Sequence, residues 1–358
     1  MKYKKLVSIM ITTVMALGTL TACGGSQPAS SGSSAAPASS GASAGGNAYL
    51  GTLSLLNMTE EEYLSLANAK QLANVYLEKE GVFSGKVKAG SSPKFSGVKF
   101  YDTLDAMVMA LEAGDIACAE LPKCTAEYLC AHNEKLETLI SYNMNKADNF
   151  DKQLVSRLGV GFSFMTKEDN KALRDEIDKA IGDMKSEGTL NSLIKNYINE
   201  GVFSEQKEVE FEKMSGDTLK IAVTGSLPPM DYVAPDGRFA GFNTAICAEL
   251  GKKLGKNIEL IQVDSMGRAA ALSSGKVDAV FWTCGSNEEY AGGNLTKEDY
   301  EKYLQKLNQS SLDPERVNIM KELSGGIDYE KNENRDRPQG TIVTQPYYSD
   351  QTVIVGRK

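Results

Sequence analysis

The residues best able to do chemistry in this sequence are few. After the N-terminal segment there are five cysteines, Cys118, Cys124, Cys130, Cys247 and Cys284, and a single histidine, His132. No two cysteines form a Cys-x-x-Cys pair. Zinc and other soft metals need clustered ligands, so neither a metal nor a cofactor is expected. The cysteines read as small buried thiols, with a disulfide allowed but no pairing legible. A Ser-His-Asp or Cys-His arrangement would have to use His132, which falls where a helix passes into a surface loop. Glu120 is a lone candidate acid or base, and acid–base catalysis needs a positioned partner. Trp282 is the only tryptophan. At a strand end it can stack a ligand and offer its indole N–H, or it can fill the core. Recognition without bond-breaking is the chemistry open to this set, and no enzyme is expected.

The start of the chain decides where that recognition takes place. Lys2, Lys4 and Lys5 precede an apolar run over residues 6–17. The run is shorter than the ~20 residues that cross a bilayer. It closes on Leu20-Thr21-Ala22-Cys23, followed by two glycines. This resembles the lipobox of bacterial lipoproteins. The resemblance implies cleavage after residue 22 and a thioether lipid on Cys23, the alternative being an ordinary secretory signal. Residues 23–46 form a tether that, past Cys23, holds only Gly, Ser, Ala, Pro and one Gln. Such a composition cannot offset its ordering entropy, and it should reach roughly 25–30 Å. The chain carries a formal charge of −8, and removing the three signal lysines brings it to about −11. That balance excludes nucleic acid as a partner and leaves the lipid as the only membrane contact.

Behind the tether, about 310 residues suffice for two lobes. Thr59 opens a helix to residue 80 with Glu62 at the capping-box spacing. A strand at 98–101, a helix to residue 112 stopped by Gly114, and a strand at 116–121 follow. A short helix from Thr125, a strand at 160–165 and two amphipathic helices split by Gly188 complete the first block. Thr166–Asp169 is the expected start of the first of these helices, and residues 207–216 are a charged linker. The second block reads as strand 219–223, turn-rich loop 225–241, helix 242–254, strand 258–263, helix to 272 and strand 277–283. Residues 285–337 form a polar insertion with helices from Thr296 and Asp313, and terminal strands follow at 341–344 and 352–355. Alternating strands and helices predict a mostly parallel sheet flanked by helices. Ala110-Leu111-x-x-Gly114 and Ala271-Leu272-x-x-Gly275, each leading into a strand, hint at two similar lobes.

The second block resembles the first lobe of the family 3 solute-binding proteins. The residues that carry the resemblance are Leu219-Lys220-Ile221-Ala222-Val223, Pro228-Pro229-Met230, Asp236-Gly237, Gly241-Phe242, Leu254-Gly255, Gly275-Lys276-Val277-Asp278-Ala279 and Pro346-Tyr347-Tyr348. The first block is similar to that family's second lobe at Gly51-Thr52, Phe100-Tyr101-Asp102, Ala126-Glu127-Tyr128-Leu129 and Ser163 to Lys167. The resemblance implies an α/β fold of two lobes (type II periplasmic-binding-protein-like), each a mostly parallel sheet with flanking helices. The lobes stand in reversed order, as in a circular permutation: residues 47–206 hold the second lobe plus the C-terminal helices, and 217–358 hold the first.

That resemblance implies a lipid-anchored protein on the outer face of the cell membrane. It would capture a small polar solute between its lobes and deliver it to the permease of an ABC-type uptake transporter. Ligands of open α/β sheets sit beyond the carboxyl ends of the strands. This selects Ser226, Pro229, Met230, Tyr232, Trp282, Thr283 and Cys284 on one lobe, and Gly51, Thr52 and Glu120 on the other. A Gly-Ser or Gly-Thr turn can hold an anion on its N–H groups. The anchors of an amino-acid ligand are replaced, however. Tyr290 stands at the position of the family's carboxylate-binding Arg, and Pro122 at that of its ammonium-binding Asp. Asn243 and Ala245 replace two further acids, and Arg335 and Arg337 in the insertion are the alternative cations. Two other readings stay open: a sensor or partner protein on the same scaffold, and an enzyme such as a dehydratase or peptidoglycan lyase.

Overall fold

The computed structural model describes residues 48–53, 59–86, 95–202, 208–285, 297–324 and 338–358. Cys23 and its tether, Tyr290, Arg335 and Arg337 lie outside the described residues. The chain divides into Met1–Ser43 and Ala44–Lys358, and every element below belongs to the second unit. No helix among the described residues is long and apolar enough to cross a membrane.

Two sheets carry the α/β fold. The lobe built on the first sheet is the first lobe (the part that resembles the family's second lobe), and the lobe built on the second sheet is the second lobe. The first contains β1 (Tyr49–Leu53), β2 (Gly97–Tyr101), β3 (Cys118–Pro122), β4 (Leu136–Ile140) and β14 (Thr352–Arg357), in the order β2-β1-β3-β14-β4. The second contains β5 (Val160–Lys167), β6 (Thr218–Val223), β10 (Asn257–Gln262), β11 (Ala279–Gly285) and β12 (Thr341–Val343). Its order is β10-β6-β11-β5-β12, with β13 (Tyr348–Asp350) also on β5. In the first sheet β1 lies parallel to β2 and β3, and in the second β6 lies parallel to β10 and β11. Each sheet receives one antiparallel strand from the other half of the chain. β14 pairs with β3 and β4, and β5 with β11 and β12. Sheet membership therefore crosses chain order. At the exchange point the Thr352 hydroxyl donates to the Leu158 carbonyl, which stitches the two crossing strands together. A small hairpin sheet, β7 (Ser226–Leu227), β8 (Asp231–Val233) and β9 (Phe239–Ala240), borders the second lobe.

Local chemistry sets the helices. α1 (Glu60–Lys79) starts on the Thr59/Glu62 capping box, with three glutamates in its first turn. Thr103 caps α2 (Leu104–Ala113), which ends at Gly114 with φ +90°. α3 (Lys123–His132) has no side-chain cap of its own at Pro122; the Asp350 carboxylate instead accepts from the Cys124 N–H at 2.7 Å. α4 (Asn149–Arg157), on an Asp148/Asp151 capping box, and β4 were not expected. The α4 segment is polar and shows little apolar periodicity to read. α5 (Lys171–Ser186) begins later than expected, capped by Asn170. Thr166 and Lys167 stay in β5 because they pair with Ala279 and Thr341. α6 (Thr189–Leu193) continues into a π-helical turn at Ile194–Asn199. α7 (Phe242–Leu254) matches its expected bounds. α8 (Arg268–Ser273) is preceded by a 3₁₀ turn at Ser265–Gly267, and Asp264 makes no cap bond.

The insertion contributes α9 (Lys297–Asn308) and α10 (Pro314–Ser324). It leaves the second sheet between β11 and β12 yet docks on the first lobe. Leu307, Ile319, Met320 and Leu323 share a core with Ala73, Tyr76 and Leu77 of α1 and Leu154 and Val155 of α4. Arg316 bonds the Asp148 carboxylate at 3.0 Å and covers the Phe150 ring at 4.7 Å.

Candidate ligand-binding cleft

The cleft lies at the carboxyl ends of β6 and β11, where the two lobes meet. It is a partly open cleft whose lining spans both lobes. Leu53, Asp102 and Leu104 come from the first lobe. The second supplies the rest, including Thr224, Ser226, Asp231, Asn243, Arg268 and Trp282. The Ser265 hydroxyl donates across the gap to the Asp102 carbonyl at 3.0 Å.

Two charged groups of the second lobe face this cleft, and both have protein partners. Asp231 is 3% exposed. Its Oδ1 accepts from the Thr224 N–H at 2.9 Å, the Thr224 hydroxyl at 2.6 Å and the Gly225 N–H at 2.7 Å. Its Oδ2 accepts from Asn243 Nδ2 at 2.9 Å, and Asn243 Oδ1 accepts from Tyr347 Oη at 2.7 Å. The N–H groups of the turn thus already hold an anion, the protein's own. Gly225 adopts φ +70°, which turns its N–H onto that carboxylate. Arg268 donates from Nε to the Ser265 carbonyl at 3.0 Å and from Nη1 to the Phe281 carbonyl at 2.8 Å. Its guanidinium lies 4.9 Å from the Trp282 ring centroid. Burial lowers its pKa to about 10 and nearby Asp231 opposes the shift, so it remains charged at neutral pH.

Of the residues expected at the site, Ser226, Trp282 and Thr283 line the cleft. Trp282 is also a core residue, 7% exposed and packed with Ala271, Leu272 and Val280. Pro229 and Met230 lie beneath the lining, and their carbonyls accept from the N–H groups of Phe242 and Asn243 at the start of α7. Tyr232 stands 6.4 Å from Tyr128, outside the lining. Cys284 pairs with Gly161 through its backbone, and its side chain lies outside the described residues.

The three residues expected from the first lobe are placed elsewhere. Strand side chains alternate between faces. Thr52 and Glu120 are register partners that face α1, away from the cleft. Thr52 donates to Tyr63 Oη at 3.2 Å. Glu120 is 6% exposed and ion-paired with Lys70 in a second cavity lined also by Asn74 and Tyr142. Gly51 faces α2, where a Cβ would collide with the Ile116 side chain, so its role is close packing. Thr52 shares β1 with Leu53, which does line the cleft, so nearness to a strand's end does not fix which face a residue takes.

Sequence reasoning passed over Arg268, Asp231 and Asp102. Asp231 was inside the expected rim, two residues after Pro229. Arg268 gave no signal, because a buried arginine at the start of a short helix resembles a surface one until its neighbours are known. Among the described residues, no group of three or more His, Cys, Asp or Glu could hold a metal.

Residues 219–305 match the bacterial extracellular solute-binding proteins, family 3. The L-cystine-binding protein TcyJ of Escherichia coli is 29% identical over 87 residues, which cover 24% of this chain and 30% of the relative. The match therefore spans less than a third of that protein's length. Among solved structures, NikA of Staphylococcus aureus overlaps 73% of this chain and 57% of its own, at 13% identity and a TM-score of 0.35. The aliphatic sulphonate binding protein SsuA of Escherichia coli overlaps 86% of this chain and 64% of its own, at 12% identity and a TM-score of 0.32.

Proposed function

We propose, from the premise that residues 219–305 carry the family 3 solute-binding pattern, that this protein captures a small polar solute between its lobes for an ABC-type importer. The observation that carries the reading is the cleft itself. It lies at the strand ends of a two-lobed α/β fold, is lined from both lobes, and is bordered by a direct bond from Ser265 to Asp102. A ligand held there would add contacts to both lobes and favour their closed arrangement. The family and the curated relative are binding proteins rather than enzymes, and the family description is extracellular.

The finer points of the reading rest on sequence and topology. Lipidation at Cys23 would keep the protein on the outer membrane face through the tether over residues 23–46. The lobes would be circularly permuted, with residues 47–206 and 217–358 as the two halves and 285–337 inserted. In support, each sheet has three parallel strands and one strand from the opposite half of the chain.

The test is a thermal-shift screen of the protein against sugars, polyols, amides, amino acids and carboxylates. A ligand at 100 times its dissociation constant adds about 2.7 kcal/mol to stability. A reproducible shift that Trp282→Phe diminishes supports capture in this cleft. A folded protein that responds to no solute rejects it.

A further inference from the structure

Besides the bond from Ser265 to Asp102, an aromatic contact joins the lobes at the edge of the cleft. Tyr128 comes from α3 in the first lobe and Tyr232 from β8 in the second. Their ring centroids lie 6.4 Å apart with the planes 38° from parallel, within the range of aromatic pairing. Both side chains are half-buried. Tyr232 is the cross-strand partner of Ser226, so the two side chains stand on one face of the hairpin. Ser226 belongs to the cleft lining and the two tyrosines do not, which puts the aromatic pair beside the cleft rather than in it.

Tyr128 is held in place from its own lobe. His132, about one turn further along α3, stacks on its ring at 4.2 Å, and the His132 Nδ1 meets the Tyr128 carbonyl at 2.8 Å. The start of α3 is seated on the segment where the chain passes from the second sheet to the first. The Cys124 N–H donates to the Asp350 carboxylate at 2.7 Å, and the Lys123 N–H donates to the Gln351 carbonyl at 2.8 Å. Asp350 ends β13 on the second sheet and Thr352 begins β14 on the first. The helix that carries Tyr128 therefore rests on a crossover about which the lobes would turn. A ring braced in this way loses little freedom when it meets its partner, so the contact costs little ordering entropy.

This inference rests on the reading that the lobes close around a solute. We propose that Tyr128 and Tyr232 are positioning residues for that closure, meeting across the lobes beside Ser226 and holding the cleft shut. They set how readily the cleft closes, not which solute it accepts.

The test reads the separation of the lobes in the protein without added solute. Spin labels are placed at exposed Met109 of α2 and exposed Ala270 of α8, one on each lobe. Each variant is measured in the unaltered protein and in Ser265→Ala, where the closed arrangement lacks the bond to Asp102. Tyr128→Ala and Tyr232→Ala should each lower the ratio of closed to open molecules about two- to tenfold, the span expected of one aromatic pair. The double variant should do no more than either alone, because the two rings act as one contact. Tyr232→Phe keeps the ring and should leave the ratio unchanged, which a general loss of hairpin structure would not do. Folded alanine variants with an unaltered lobe separation in both backgrounds overturn the inference. Additive losses from the two alanines overturn it as well, since the rings would then act apart. If Tyr128→Ala does not fold, Tyr232→Ala against Tyr232→Phe decides. A ratio that responds in a protein silent to every solute leaves the aromatic contact standing and rejects solute capture.

Discussion

The two lobes share a strand order and differ in where they put their polar groups. The second lobe turns Thr224, Ser226, Asp231, Asn243 and Arg268 toward the cleft. The first offers Leu53, Asp102 and Leu104 there and keeps its own buried charges, Lys70 and Glu120, behind the sheet under α1. One architecture thus carries two kinds of polar cluster. In the second lobe an acid organises the loop that borders the cleft. In the first an ion pair sits inside the layer between helix and sheet. The comparison teaches that the polar lining of the cleft is one-sided, with the first lobe contributing mainly apolar cover.

Removing Asp231 should have the largest effect. Asp231→Ala strands the donors of Thr224, Gly225 and Asn243 and should cost about 4–5 kcal/mol, the upper part of the range for breaking a buried charged network. Urea unfolding would read it, and a loss under 1 kcal/mol would mean the loop is not organised by this carboxylate. Next comes the first lobe's pair. Glu120→Gln or Lys70→Met alone should cost about 3 kcal/mol, whereas the double variant should recover most of that loss. Ligand affinity should not change in any of the three. A change in affinity would break the division of roles between the lobes.

Smaller effects follow at the links between lobes. Arg316→Ala removes a bond to Asp148 and a cation–π contact, and should cost about 1–2 kcal/mol. Hydrogen exchange should then show α1 and α10 losing protection together, and protection of α1 unaltered would disprove the docking. Asp350, half-buried, has a carboxyl pKa raised by desolvation, partly opposed by the Cys124 N–H. A raised folded-state value means that ionised Asp350 weakens the fold at neutral pH. That penalty shrinks as pH falls through the raised value and is gone below the unfolded one. Asp350→Asn should therefore be the more stable form at pH 7, its advantage vanishing on acidification in thermal unfolding at several pH values. Ser265→Ala removes one bond between lobes and should shift the open–closed balance by about 0.5–1.5 kcal/mol, readable as a distance change between spin labels on the two lobes.

Much of the fold was legible in the sequence because its signals are local. The Thr59/Glu62 box, the Gly114 and Gly255 stops and the apolar strands need only neighbours within a few residues to act. The echo between Ala110-Leu111 and Ala271-Leu272 is also explained: α2 and α8 follow the outermost strand of each sheet and lead into β3 and β11. The site was legible only in part. Ser226, Trp282 and Thr283 sit on strands or turns whose ends were readable, and all three reach the cleft. Thr52 and Glu120 sit on an equally readable pair of strands and face the other way.

By itself, the sequence determined the α/β class and most of the helix limits, since each depends on composition or short-range periodicity. Only the tertiary structure decided that β5 and β14 change sheets, that α10 docks on the far lobe, and that Asp231 fills the N–H groups of its own turn. Those outcomes join residues far apart in the chain, or one face of a strand to a helix. Pairing of that kind is set by packing in three dimensions, which no local pattern encodes.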